Sequence, residues 1–193
     1  MVEEKTSSQT KIMDAGRELF WKHGFRRVSI DEICNCASIS KMTFYRYFPN
    51  KADLAKAVYD RVLAEGYEKF RTIMNDDSSP EEKIHQFLLL KMEGTNELSQ
   101  EFVTDFYSSK ETGLKEYVQA KISEMWKDII GDIRKAQQKG IFRKDFNPEM
   151  FYYTWQKFTD ILEDKNIQKL YNNTQDMVMD LINLLTYGIA PHK

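Results

Sequence analysis

In the stretch SKMTFYRYFPNK, Ser40–Lys51, side chains that can grip a polyanion stand beside side chains that belong in a core. Lys41, Arg46 and Lys51 bring the positive charge that neutralises phosphates, and Thr43, Tyr45 and Tyr47 bring hydroxyls that hydrogen-bond phosphate oxygens. Met42 and the tyrosine rings offer apolar contact to a thymine methyl. Phe44 and Phe48 are four residues apart, so they share one helical face and read as core. Met42 and Arg46 share the opposite face, Thr43 and Tyr47 another, and Lys41 and Tyr45 a third. A second reading makes Tyr45 and Tyr47 cover the edges of the core. With only two side chains of this short helix turned inward, a basic, hydroxyl-rich surface is left for something outside the protein.

Other chemistry-bearing residues are not arranged to use their chemistry. Cys34 and Cys36 form a C-x-C pair, and on a helix such neighbours point about 200° apart, which suits neither one metal ion nor a disulfide. They read as small buried hydrophobes. His23, His85 and His192 are scattered, with no HExxH or CxxC pattern beside them, so no metal is expected. There is no P-loop, GxGxxG or GxSxG motif, so neither a nucleotide cofactor nor a hydrolase site is expected.

The elements that hold these residues are helices. Gly and Pro together number 12 in 193 residues, and Lys, Glu, Leu, Met and Gln are plentiful, which predicts an all-α chain. Ile12, Ala15, Gly16, Leu19, Phe20 and His23 follow helical spacing over Thr10–His23, and Gly24 stops that helix. Ser29 to Glu32, SIDE, is a capping box that opens a second short helix. The glycine-free turn CASIS joins it to a third, Lys41–Phe48, which Pro49 ends. Asn50 caps a fourth, with Asp53 in its first turn. Short helices joined by a tight turn outline a helix-turn-helix. After the break NDDSSP, further helices are predicted at about 80–93, 97–108, 114–139, 148–165 and 174–188.

Residues 1–60 carry 10 Lys/Arg against 8 Asp/Glu, and the remainder 18 against 22, so a mildly basic front sits on an acidic body. No apolar run reaches the roughly 18–20 residues of a membrane span. The N-terminus lacks the apolar core of a secretory signal, which leaves the cytoplasm as the expected compartment and no membrane as a partner.

From Ile12 to about Asp60 the chain resembles the DNA-binding domain of the TetR family of bacterial transcriptional regulators. The resemblance lies in AGRELFWKHGFRRVSIDEI, then the turn, then SKMTFYRYFPNKADL. It implies base-edge contacts for Lys41 and Met42, and phosphate contacts for Thr43 and Tyr47. It also implies a backbone or thymine contact for Tyr45, and a backbone or base contact for Arg46. Lys51 matches a phosphate-anchoring lysine, and Ser29 a cap that can also touch phosphate. One departure is Ser38, which stands where the family's turn has glycine.

The resemblance further implies an N-terminal helix-turn-helix domain over residues 1–52, a connecting helix over 50–74, and a helical ligand-binding and dimerisation domain over 75–193. Aromatic residues there suit a largely apolar small-molecule effector, with Phe102, Phe106, Trp126 and Trp155 as candidate lining. Met177, Leu181, Leu184 and Leu185 form an apolar stripe wider than a one-sided core helix needs. With Phe151 and Trp155 on the helix the family pairs with it, they are the candidate homodimer surface. The function implied is a ligand-responsive repressor on a double-stranded, pseudo-palindromic DNA operator. The alternatives are an activator or a ligand-independent regulator of the same fold, and, from other classes, an enzyme using the aromatic cavity or a helical adaptor.

Overall fold

The computed structural model describes residues 2–110 and 112–191, leaving aside the side chains of residues 2–7, 108, 155 and 159. It is helical throughout, and no strand occurs among the described residues. The helices are α1 (Val2–His23), α2 (Ile30–Cys36), α3 (Lys41–Tyr47), α4 (Lys51–Asn75), α5 (Pro80–Gly94) and α6 (Gln100–Val103). After a π-helical turn at Thr104–Ser108 come α7 (Leu114–Gln138), α8 (Pro148–Gln156), α9 (Phe158–Glu163), α10 (Lys165–Gln168) and α11 (Thr174–Ile189).

Local chemistry sets most of these boundaries. α1 stops at Gly24, whose φ of +75° is cheap only for glycine and whose N–H donates to the Phe20 carbonyl at 2.9 Å. The capping box at α2 is complete: the Glu32 N–H donates to Ser29 Oγ at 3.2 Å, and the Ser29 N–H donates to Glu32 Oε2 at 2.7 Å. At α4 the Asp53 N–H donates to Asn50 Oδ1, and the Asn50 amide donates back to Asp53 Oδ2, both at 2.9 Å. Ser79 caps α5, with Pro80 in its first turn.

Two predicted helices are broken. The span 97–108 begins only at Gln100, capped by Ser99, and widens into the π-helical turn after Val103. The span 148–165 divides into α8, α9 and α10, with Asp164 capping the last through a 2.7 Å bond from the Asn166 N–H. That aspartate supplies α10 with an acceptor that a continuous helix would not use.

The chain forms two compact units that are discontinuous in sequence. The first runs to Leu63 and adds Glu97–Gln119; the second joins Ala64–Asn96 to the residues from Ala120 onward. Residues 97–119, which the sequence assigns to the regulatory domain, therefore pack within the unit that carries the helix-turn-helix. This corrects two candidate ligand residues. Phe102 and Phe106 are buried and stack on each other at 4.3 Å. Phe102 lies 4.2 Å from Trp21, while Phe106 lies 6.2 Å from Phe20 and 6.0 Å from Tyr59. They are the core of the DNA-binding unit rather than the wall of an effector cavity, because the aromatic face of α1 needs them as cover.

A buried carboxylate fastens the same segment. Asp105 is 2% exposed and accepts from the Arg26 N–H at 2.8 Å and from Arg26 Nε at 2.6 Å. Gly24 makes room for it, since a Cβ there would lie 2.8 Å from Asp105 Oδ2 and from Glu101 Cβ. The second unit has its own core of Met74, Trp126, Ile133, Ala136, Ile141 and Phe142, with Ile189 beside them.

Candidate nucleic-acid interface

The helix-turn-helix is built from α2 and α3. Its turn bends at Ser38, which sits at φ +54°, the left-handed region, so serine carries a conformation that glycine reaches without strain. The turn is then held by the Ile39 N–H donating to the Cys34 carbonyl at 2.9 Å. Ser40 caps α3 by accepting from the Thr43 N–H at 3.1 Å.

α3 divides by face as its spacing predicts. Phe44 is 0% and Phe48 5% exposed, with their rings 6.1 Å apart, while Met42 is 84% and Tyr45 53% exposed. Lys41 and Arg46 are exposed, and Thr43 and Tyr47 are half-buried. Full burial of two phenylalanines contributes about 1.5–3 kcal/mol each, which fixes the helix on its core and leaves the other faces outward. Tyr45 meets Phe44 edge-on at 5.4 Å, so one side of its ring covers the core and the other faces out.

The polar groups of this surface are held by weak, exchangeable contacts. Lys41 Nζ pairs with Asp31 at 2.7 Å, and both side chains are more than half exposed. The Asp31 carboxylate raises the lysine's pKa, first through the hydrogen bond and then through its charge, so Lys41 stays an ammonium. The Arg46 guanidinium rests 5.2 Å from the centre of the Tyr47 ring. The Ser40 and Thr43 hydroxyls share a 3.0 Å hydrogen bond. Exposed contacts like these give way readily to a phosphate or base edge.

Ser29 and Lys51 are placed differently. The Ser29 hydroxyl donates to Glu32 Oε2 at 2.7 Å, and these Ser29 bonds are the main reason the Glu32 pKa falls below the usual carboxylate value. Lys51 turns inward: its Nζ donates at 2.6 Å to the Phe25 and Val28 carbonyls and more weakly to that of Arg26 at 3.4 Å. It also lies 4.3 Å from the centre of the Phe25 ring. Desolvation lowers its pKa, although the charges of Asp105 and Glu32 pull the other way. All three N–H donors of the ammonium are thus engaged by the chain between α1 and α2, so that here Lys51 clasps that connection. Its position among carbonyls that end no regular helix has no local sequence signal.

Cys34 is buried and Cys36 exposed, and desolvation is the first cause that raises both thiol pKa values, Asp31 adding to it for Cys34 and Glu18 for Cys36. Neither is poised as a thiolate. Among the described residues no three His, Cys, Asp or Glu side chains are grouped to hold a metal ion, and no helix is long and apolar enough to cross a membrane.

The remaining candidates lie in the second unit. Trp126 is buried against Phe151 at 5.7 Å and Tyr152 at 5.4 Å, so it fills the core rather than an effector space. Phe151 is half-buried in that same contact. The Trp155 side chain lies outside the described ones. Met177 is 1% exposed, which removes it from a partner surface and places it in the core of its own unit. Leu181 and Leu185 are half-buried, and Leu184 is 73% exposed.

An all-α chain whose helix-turn-helix presents an exposed helix of basic, hydroxylic and apolar side chains is of the DNA-binding class. Comparison with known proteins makes that specific. Residues 12–58 match the family model of the bacterial regulatory proteins, tetR family. The chain is 27% identical over 158 residues to the HTH-type transcriptional regulator UidR of Escherichia coli K12, covering 78% of this chain and 76% of that protein. It is 26% identical over 132 residues to the HTH-type transcriptional regulator YhgD of Bacillus subtilis, covering 67% of each. Among solved structures, regulatory protein TetR from Rhodobacter sphaeroides superposes with a TM-score of 0.69 at 21% identity, over 95% of this chain and 99% of that one. The fatty acid degradation regulator FadR from Bacillus halodurans gives a TM-score of 0.67 at 18% identity, over 94% and 95%. Residues 12–58 thus match the tetR-family model, and the chain as a whole is similar to bacterial HTH-type transcriptional regulators and shares the fold of solved TetR proteins.

Proposed function

We infer that the protein is a repressor that binds a pseudo-palindromic operator as a homodimer in the cytoplasm and leaves it when a small-molecule effector binds the second unit. The observation that carries the reading is the two-faced α3, with Phe44 and Phe48 buried and Met42 and Tyr45 exposed. Two such helices on a symmetric dimer enter successive major grooves, which fixes the half-site spacing at about one turn of DNA. Lys41 and Met42 read base edges, Thr43 and Tyr47 hold the backbone, Tyr45 meets the backbone or a thymine methyl, and Arg46 reaches backbone or base. The second unit supports the dimer: Leu184 and Tyr187 on α11 are exposed, as are Met150 and Tyr153 on α8. Large apolar side chains exposed on two helices suit an isologous contact. An effector releases DNA only by binding the released conformation more tightly than the bound one.

A salt-titrated binding measurement on the DNA upstream of the protein's own gene tests this. Affinity should fall steeply with salt and should exceed that for unrelated DNA by about a thousandfold or more. Met42→Ala should change which operator variant is preferred, by about tenfold at one base pair. Equal loss on every variant would remove Met42 as a reader, and absence of any sequence preference would end the regulator reading.

A further inference from the structure

Position 105 is an unfavourable place for a charge. Its neighbours Phe102, Val103 and Phe106 are buried, and the Asp105 carboxylate is buried with them. An ion pair at such depth seldom stabilises a fold more than well-packed apolar side chains of the same volume. Both carboxylate oxygens go to a single residue: Oδ2 accepts from the Arg26 N–H at 2.8 Å and Oδ1 from Arg26 Nε at 2.6 Å. Asp105 is itself firmly held. It lies in the π-helical turn Thr104–Ser108, and its carbonyl accepts from Thr112 Oγ1 at 2.8 Å. At the head of the same segment, the Ser99 N–H donates to the Trp21 carbonyl at 2.9 Å. π-Helical turns recur at functional positions.

Arg26 stands where the helix-turn-helix begins. Residues 24–29 lead from the end of α1 to the Ser29 cap of α2. Charges from other elements satisfy much of their backbone: Lys51 of α4 takes the Phe25 and Val28 carbonyls at 2.6 Å, and Asp105 takes the Arg26 N–H between them. A cation and an anion therefore grip one short connection. α2 starts directly after it, and α3 is tied to α2 by the Ile39 N–H on the Cys34 carbonyl. Hydrogen bonds to base edges and phosphates weaken steeply as their angles worsen, so the direction in which this connection launches α2 governs how well α3 seats on DNA.

We propose that Asp105 is a positioning residue for operator binding: through the Arg26 N–H and guanidinium it fixes the entry to α2, and with it the seating of α3. This rests on the operator reading above. The charge counts as well as the shape, because an amide at 105 keeps an acceptor for the N–H but loosens the guanidinium.

Operator affinity per folded molecule tests it, with the folded fraction measured by circular dichroism in the binding buffer and the DNA upstream of the protein's own gene as probe. Asp105→Asn and Arg26→Gln should each lower that affinity about tenfold, and the double variant should lose no more than either alone, as one shared contact requires. The loss should be equal on every operator variant, with the slope against salt unchanged, because α3 keeps its own side chains. The Arg26 side chain is 53% exposed, so Arg26→Gln leaves the aromatic core untouched and carries the same prediction if Asp105→Asn fails to fold. An affinity within about twofold of the wild type in a folded single variant overturns the proposal and leaves the pair a support of the fold alone. Losses that multiply in the double variant overturn it too, since Asp105 would then not act through Arg26. A slope shallower by about 0.9 in Arg26→Gln does the same, by making Arg26 a phosphate ligand in its own right. A wild type without sequence preference ends the operator reading and this inference with it, whereas a wild-type preference that both variants keep at full affinity removes this inference alone.

Discussion

Replacing Lys51 by Met separates a clasp from a phosphate contact. Two of its bonds, to the Phe25 and Val28 carbonyls, are 2.6 Å long, and the third, to Arg26, is 3.4 Å and weak. Hydrogen bonds from a charged donor are worth about 1.5–3 kcal/mol each, so the short pair amounts to roughly 3–6 kcal/mol gross. Desolvation of the ammonium, visible in its lowered pKa, takes part of this back. Met keeps the aliphatic stem packed but leaves two carbonyls short of a donor, and the surface beside them lets water replace some of the loss. The expected net cost is about 2 kcal/mol, a fall of roughly 4–8 °C in melting temperature for a chain of this size. In DNA binding the slope of log affinity against log salt should stay as in the wild type, because an inward lysine releases no counterion. A phosphate anchor behaves otherwise: each lost contact takes about 0.9 from that slope. Unchanged stability with a shallower slope refutes the clasp.

Three further outcomes follow from particular residues. Ser38→Gly should raise stability by about 0.5–1 kcal/mol, because relief at φ +54° outweighs glycine's extra freedom when unfolded; a lower melting temperature would contradict this. The Tyr117 hydroxyl donates to Asp60 Oδ2 at 2.6 Å, and desolvation first, then that bond and the carboxylate charge, push its pKa from 10 up to about 12. A raised acid pKa stabilises the fold while the phenol is neutral, so stability should fall as pH rises from about 10 through 12, and Tyr117→Phe should flatten that decline in alkaline denaturation curves. Leu184→Glu should turn the proposed dimer into monomers at micromolar concentration in sedimentation and weaken operator binding with it, and an unchanged dimer would move the interface elsewhere.

The local features were legible because their causes are local. The Ser29–Glu32 box, the Asn50–Asp53 cap and the Phe44/Phe48 face each depend on residues three or four apart, and each is present. The packing of Phe102 and Phe106 against α1 is not legible in the same way, because an aromatic residue in a helix reads the same whichever core it joins. Pairing across 79 residues, as between Arg26 and Asp105, leaves no periodic mark. One signal was available: Asp105 interrupts the apolar run FVTDFY, and a carboxylate in such a run needs a buried partner. The inward turn of Lys51 is not legible for a related reason. Its acceptors are backbone carbonyls, which every residue has and which a sequence cannot single out.

The Asp105–Arg26 bond and the aromatic stack around Phe102 bear on how this protein is made and rearranged. The DNA-reading unit is not complete when its own helices have left the ribosome; it waits for about fifty more residues, until Glu97–Gln119 emerge. Until then Phe20 and Trp21 lack the cover that Phe102 and Phe106 give them. A fragment cut after α4 would keep that face bare, and a chimera that swaps only the first sixty residues between relatives would pair one protein's Arg26 with another's segment. The portable module is the helix-turn-helix together with its distant strap.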